Sequence, residues 1–130
     1  MTGQVARRWV SEATVLEELE TLNDTSMSLV QDYRRQAVEA AQAEATHKAL
    51  RAKRILLAKA TKTGVTGRQM ATNEAELVAE SDEEVADLYM RRLTTSAVAD
   101  ATREALRSVR TNQDALRTAA ASFRNQVAGP

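Results

Sequence analysis

The chain has 130 residues, enough for one domain with a modest core, and its 18 basic and 18 acidic side chains give a formal net charge of zero. It has no cysteine, which excludes disulfides and thiolate metal sites and makes an intracellular setting the default. No apolar run approaches the roughly 20 residues of a transmembrane helix and no signal peptide is recognisable, so we expect a cytoplasmic protein without membrane contact, in the host cytoplasm if a phage encodes it.

Glycine and proline are rare, and only Gly64 and Gly67 interrupt the chain between its ends. This pattern predicts an all-α fold, a long antiparallel helical hairpin with an extra short N-terminal helix. We expect a flexible arm over 1–10 and a single helical domain over 11–130. Its helices are predicted at about 12–22, 25–62, 67–80 and 82–127.

The arm carries Arg7 and Arg8 beside the only tryptophan, Trp9. The indole either packs on the first helix or stacks on a base or a protein partner. The spacing of Thr14 and Glu17 is typical of a capping box at the first helix. The polar run 23–26 predicts that this helix ends there and that Asp24 caps the next.

The second predicted helix is rich in alanine, which has the highest helix propensity. It would run roughly 55 Å at 1.5 Å per residue, longer than a compact domain of this size covers. We therefore expect part of it to pack on another subunit in a homo-oligomer.

A turn is predicted at Thr63–Gly67, and the spacing of Thr66 and Gln69 resembles another capping box. Such a turn is only a weak phosphate signal, because it lacks the P-loop pattern. Ser81–Glu84 has capping-box spacing too, which favours a helix start inside the acidic stretch.

Two adjacent segments carry opposite charge. The basic segment, 47–68, has seven cations and no carboxylate, and the acidic segment, 73–87, has seven carboxylates and no cation. The two segments either neutralise each other or a neighbouring copy, or the basic segment contacts phosphates. The residues predicted for a nucleic-acid surface are Lys48, Arg51, Lys53, Arg54, Lys59, Lys62 and Arg68.

The last predicted helix has an apolar seam formed by Leu106, Val109, Leu116 and Phe123, which we assign to the core or to an oligomer interface. Arginines recur every seventh residue beside it, at Arg103, Arg110, Arg117 and Arg124. This stripe either pairs with acids of the first helices or forms a cationic track for a nucleic-acid backbone.

Catalysis requires converging reactive groups, and the chain has one histidine, His47, and no cysteine. A surface or interface role fits His47 better than metal ligation, since no second histidine is available. The acidic residues lack the glycine and the spacing of an EF-hand. We predict no enzyme activity, no catalytic residue, no metal and no cofactor.

The segment Leu50-Arg51-Ala52-Lys53, followed by a glycine-containing turn and the acidic segment, resembles the Leu-Lys-Ala-Arg element of the recombination mediators of T4-type phages, the UvsY-like proteins. The resemblance extends faintly over residues 30–123. It implies an oligomeric, ring-forming protein that binds single-stranded DNA and helps a recombinase replace the single-strand-binding protein. Arg51 and Lys53 would touch the strand.

Two departures from the family element affect this expectation. The two cations stand in exchanged order, which a phosphate contact tolerates. Ile55, Leu56 and Leu57 occupy the places of the family's aromatic residues. Phosphate contacts would therefore have to supply most of the binding.

The leading hypothesis is a phage-encoded, single-stranded-DNA-binding recombination mediator or accessory that forms a homo-oligomer and works with a recombinase and a single-strand-binding protein. The alternative is a non-enzymatic coiled-coil assembly, scaffold or adaptor protein of a phage. In that case the basic segment neutralises the acidic segment of a neighbour. An inhibitor or adaptor acting through the Arg7–Trp9 arm is a third option.

Overall fold

A computed structural model describes residues 11–61 and 68–127. The described residues form three α-helices: α1 (Glu12–Ala60), α2 (Thr72–Ser81) and α3 (Glu83–Val127). The predicted all-α class is confirmed. The arm with Arg7–Trp9, Lys62 and the predicted turn Thr63–Gly67 lie outside the described residues. Among the described helices, none has a stretch long and apolar enough to cross a membrane.

Helix α1 begins at Glu12, near the predicted start, but the residue that caps it is Ser11 and not Thr14. The Ser11 hydroxyl oxygen accepts a hydrogen bond from the Thr14 backbone N–H at 3.2 Å, which is the N-cap interaction. Its Oγ also lies 2.8 Å from the Thr14 hydroxyl. Thr14 is therefore inside the first turn, and the predicted capping box starting at Thr14 is wrong.

The predicted break at 23–26 is wrong as well, because α1 continues through it. The polar side chains find partners that leave the helix intact. The Thr21 hydroxyl donates to the Glu17 carbonyl at 3.2 Å, and the Thr25 hydroxyl to the Thr21 carbonyl at 3.0 Å. The Asn23 side chain is used in a contact with α3. No separate short N-terminal helix exists among the described residues.

Helix α2 begins at Thr72 rather than near residue 67, so the capping box predicted from Thr66, itself outside the described residues, does not start it. Its first backbone bond runs from the Ala75 N–H to the Ala71 carbonyl at 2.9 Å. Between α2 and α3 stands Asp82, whose carboxylate accepts from the Val85 N–H at 3.1 Å. The cap of α3 is thus Asp82 and not Ser81.

The residues predicted as a single helical domain form two compact units. Among the described residues, unit 1 combines 11–34 with 100–127, and unit 2 lies within Arg35–Ala99. The helices pair antiparallel inside each unit. In unit 1 Glu12 lies beside Arg124 and Asn23 beside Gln113, and in unit 2 Glu44 lies beside Arg92.

The core of unit 1 is formed by Val15, Leu116 and Ala120, which are 0%, 1% and 2% exposed. Phe123 packs against this cluster as a partly buried side chain. Leu106 is also buried, and Val109 is partly buried. The predicted seam residues thus cover part of this chain's own core, and whether they also form an oligomer interface stays a prediction.

Unit 2 has a core of small side chains. Its buried apolar residues are Val85 and the alanines Ala43, Ala58, Ala75, Ala79 and Ala99. Alanine removes little apolar area from water, so the hydrophobic stabilisation per buried residue is small. Polar contacts between helices therefore have a larger share in holding unit 2 together.

We expect Leu116→Ala to lower the free energy of unfolding by about 2 to 5 kcal/mol, because it empties a fully buried site. Met27→Ala is the matched control, since Met27 is 65% exposed on α1 of the same unit. Urea unfolding followed by circular dichroism measures both. Equal losses in the two variants would contradict the assignment of the core.

Candidate nucleic-acid interface

The basic segment lies mostly on the last turns of α1, within unit 2. Helix α1 carries Lys48, Arg51, Lys53, Arg54 and Lys59, while Arg68 is exposed ahead of α2. Lys62 lies outside the described residues. A nucleic-acid surface made of these residues therefore depends on which of the α1 cations remain available.

Two of the arginines are engaged by the acidic segment of the same chain. An Arg51 guanidinium nitrogen donates to the Glu80 carboxylate of α2 at 3.1 Å. The Arg54 guanidinium donates to the Glu84 carboxylate of α3 at 2.8 Å. Charge-assisted bonds of this kind are stronger than neutral ones. The acidic segment thus neutralises part of the basic segment within one molecule.

Arg54 also reaches the junction of α2 and α3. Its Nε lies 3.3 Å from the Asp82 carboxylate, an ion pair in which the buried Nε–H forms no hydrogen bond. Since the other Asp82 oxygen caps α3, one carboxylate both starts a helix and faces the guanidinium on α1. Asp82 therefore connects the start of α3 with Arg54 of the basic segment.

A second polar cluster lies further back along α1, around Glu44. Its carboxylate contacts the Lys48 amine at 2.7 Å and the Arg92 guanidinium at 3.3 Å. The hydrogen bond and the charge of Lys48, with the added charge of Arg92, lower the pKa of Glu44 below its ordinary value. Lys48 therefore already has an anionic partner.

The single histidine belongs to this cluster. His47 is only 6% exposed, and its ring centroid lies 5.3 Å from that of Tyr89. An Arg92 nitrogen stands 3.3 Å from Nδ1, and because a guanidinium only donates, Nδ1 must accept and the neutral ring carries its proton on Nε2. Burial, followed by the positive charges of Arg92, Arg51 and Lys48, lowers the pKa of His47.

Two cations of the basic segment keep no carboxylate partner among the described residues, Lys53 and Lys59. Lys53 is exposed and Lys59 is partly buried. The exposed Leu56 and Leu57 follow Lys53, in the places where the resemblance would put aromatic rings. Free amines with no adjacent ring can hold phosphates but cannot stack on bases.

Most arginines of the stripe on α3 do not form the predicted ion pairs with acidic residues of the first helices. Arg103 and Arg117 contact Asp100 and Asp114 of their own helix, at 3.1 and 3.2 Å. Only Arg124, among the described stripe residues, reaches α1, where it lies 3.6 Å from Glu12. Arg110 has no carboxylate partner in the described part of the chain.

The described residues contain no group of three histidine, cysteine or acidic side chains placed to hold a metal ion. Comparison of the chain with protein-family models, curated proteins and solved structures finds no match. The assignment of a function therefore depends on the geometry described above.

Replacing Asp82 separates its two roles. We expect Asp82→Ala to destabilise the protein by about 0.5 to 2 kcal/mol through loss of the cap. Asp82→Asn keeps a side-chain oxygen for the Val85 N–H and removes only the charge facing Arg54, so it should cost less. Urea denaturation measures both variants, and equal losses would show that the ion pair, and not the cap, dominates.

Burial of neutral His47 predicts a pH dependence. The lowered pKa means that the unfolded chain binds a proton more readily than the folded one, so stability falls as the pH drops below the ordinary value of 6.5. The lowered pKa of Glu44 changes the stability only at pH values below its ordinary pKa of 4.5, which lie outside the pH range of this test. Thermal unfolding between pH 7.5 and 5.5 should show the loss, and His47→Gln should reduce it. If the melting temperature of His47→Gln falls with pH as steeply as that of the unmodified protein, the assignment of the pH dependence to His47 is contradicted.

Proposed function

We propose that this chain is a non-enzymatic, single-stranded-DNA-binding accessory protein of recombination that acts as a homo-oligomer. The observation that carries the proposal is the concentration of five cations on α1 between Lys48 and Lys59. Lys53 and Lys59 among them have no carboxylate partner in the described part of the chain. Cationic side chains in such density favour contact with a phosphate backbone, whatever its base sequence.

The ion pairs of Arg51 and Arg54 do not remove these residues from the proposed surface. The carboxylates Glu80 and Glu84 are 56% and 66% exposed, whereas Arg51 and Arg54 are 32% and 31% exposed. Ion pairs that water reaches from the carboxylate side contribute only about 0 to 1 kcal/mol. Strand phosphates can therefore replace these two carboxylates at little cost. Asp82 is less exposed, at 31%, and its cap of α3 holds it in place.

Self-association is part of the proposal because several large apolar side chains among the described residues are exposed to solvent. Six of the ten buried core residues are alanines, whereas large side chains such as Leu56, Leu77 and Met90 are 60% to 69% exposed. Contact with further copies would bury such side chains. A ring-shaped homo-oligomer is the form that the resemblance implies.

The role in recombination rests on the resemblance of Leu50-Arg51-Ala52-Lys53 to the mediator element. Under this proposal the oligomer holds the strand while a recombinase replaces the single-strand-binding protein. Exchanged lysine and arginine positions are compatible with contacts that recognise only phosphate charge.

A second candidate function is a scaffold or adaptor protein of assembly. It is favoured by the pairing of Arg51 and Arg54 with the acidic segment of the same chain. In that case the ion pairs serve the fold alone, and the exposed leucines serve contacts between copies or with a protein partner.

Binding of fluorescent oligo-dT, followed by anisotropy, tests the proposal. Lys53→Gln combined with Lys59→Gln should weaken binding and flatten the log-log salt slope by about 1.4, which is about 0.7 for each lost phosphate contact. The control is Arg91→Gln compared with Lys53→Gln alone, because each of the two removes one charge and Arg91 is an exposed residue outside the basic segment. Absence of binding by the unmodified protein at low salt would reject DNA binding in favour of the assembly function.

Glu80→Gln combined with Glu84→Gln distinguishes the two functions on the same samples. For a DNA-binding protein, the freed Arg51 and Arg54 should raise affinity and steepen the salt slope. For an assembly protein, the variant should leave oligo-dT binding negligible. Light scattering of each sample reports self-association, and a monomer at micromolar concentration would contradict the oligomeric part of the proposal.

A further inference from the structure

Unit 1 contains a groove of about 580 Å³ between its α1 and α3 segments. Four arginines surround it: Arg34 of α1 and Arg103, Arg107 and Arg110 of α3. The α3 members are spaced four and three residues apart, which places them on one face of that helix. The volume lies within the range of roughly 300 to 1,000 Å³ that ligand sites occupy.

Half of the positive charge of this groove has no carboxylate partner in the described part of the chain. Arg34 and Arg110 have no carboxylate partner among the described residues. Arg103 and Arg107 pair with Asp100 and Glu104 of the same helix at 3.1 and 3.0 Å. All four of these paired side chains are between 55% and 69% exposed, so the pairs contribute little and can open for another anion.

One carboxylate, Asp114, lines the groove among the described residues. It lies 3.2 Å from Arg117, which is outside the lining, and its side chain is 77% exposed. Two of the four guanidiniums are unpaired among the described residues, and the lining carboxylate already pairs with Arg117, so the groove keeps a net positive charge. An anionic ligand is the chemistry that such a groove favours.

The groove also offers an aromatic and an apolar surface. Tyr33 lies next to Arg34 on α1, partly buried, and Leu106 lies beside Arg107 on α3. A base has a planar apolar face and a nucleic-acid backbone carries one charge per phosphate. An aromatic ring beside several guanidiniums is the combination used in sequence-tolerant binding of single strands.

We infer that the groove of unit 1 is a second nucleic-acid site, which holds the phosphates of a single strand on Arg34, Arg103, Arg107 and Arg110 and stacks one base on Tyr33. The inference rests on the proposed function for its ligand, a single strand. It assigns the contact to residues that the basic segment does not include. It also supplies the stacking surface that Ile55, Leu56 and Leu57 cannot provide in the basic segment.

The test replaces the two unpaired arginines, Arg34→Gln with Arg110→Gln, because this change breaks no ion pair between the described residues. Affinity for fluorescent oligo-dT should fall by about tenfold, and the salt slope should flatten by about 1.4. Arg34→Lys with Arg110→Lys keeps the charge and should keep the slope. Arg91→Gln compared with Arg110→Gln alone is the control for net charge, and circular dichroism checks that each variant folds.

A photocrosslink locates the base directly. Oligo-dT carrying 5-iodouracil should crosslink to Tyr33, identified by mass spectrometry of the tryptic peptide. Tyr33→Phe should retain the crosslink at this position, since the ring is kept, and Tyr33→Leu should abolish it. A crosslink found only at other positions would overturn the stacking assignment.

The outcomes separate this inference from the proposed function. If the Arg34 and Arg110 variant binds as the unmodified protein does while the Lys53 and Lys59 variant binds weakly, the groove is overturned and the proposed function stands. If only the groove variant loses affinity, the groove is supported and the basic segment is not the contact surface. Failure of the unmodified protein to bind oligo-dT at low salt overturns both.

Discussion

Pairing of opposite charges within one chain sets the placement of the three helical segments of unit 2. Its buried apolar side chains are mostly alanines, which supply little hydrophobic stabilisation. Arg51 and Arg54 hold α2 and the start of α3 against α1 by contacts to Glu80, Asp82 and Glu84. The Glu80 and Glu84 carboxylates are exposed, so those two pairs are weak and serve mainly to place the three helices correctly.

Much of the helical architecture could be predicted from the sequence, because scarce glycine and alanine-rich runs leave few alternatives to helix. The boundaries were harder to predict, since a polar side chain can cap a helix or serve inside it. Thr21 and Thr25 bond back to carbonyls one turn earlier, and Asn23 reaches α3. The partner of Asn23 depends on the tertiary structure, which local sequence patterns do not include, and the threonines can bond back within a helix or cap one.

Only part of the candidate site could be predicted from the sequence. Counting charges located the basic segment, but the identity of its partners follows from the folding of the acidic segment back onto α1. A clue was present: Arg51 and Glu80 lie 29 residues apart, and their midpoint falls inside the glycine-bearing stretch. For the groove of unit 1, the heptad stripe indicated Arg103 and Arg110 as a possible cationic track. Arg34 could not be added to them from the sequence, because it comes from α1 and lies far from them along the chain.

The contact between Asn23 and Gln113 has a consequence for how unit 1 aligns its helices. The Gln113 amide is only 6% exposed and donates to the Asn23 oxygen at 2.8 Å. Sliding one helix by a turn, about 5.4 Å, would leave this amide buried without its partner, a penalty of about 1 to 3 kcal/mol. Apolar contacts alone discriminate poorly between such shifted alignments. One amide pair therefore selects a single register, as buried polar residues do in coiled coils.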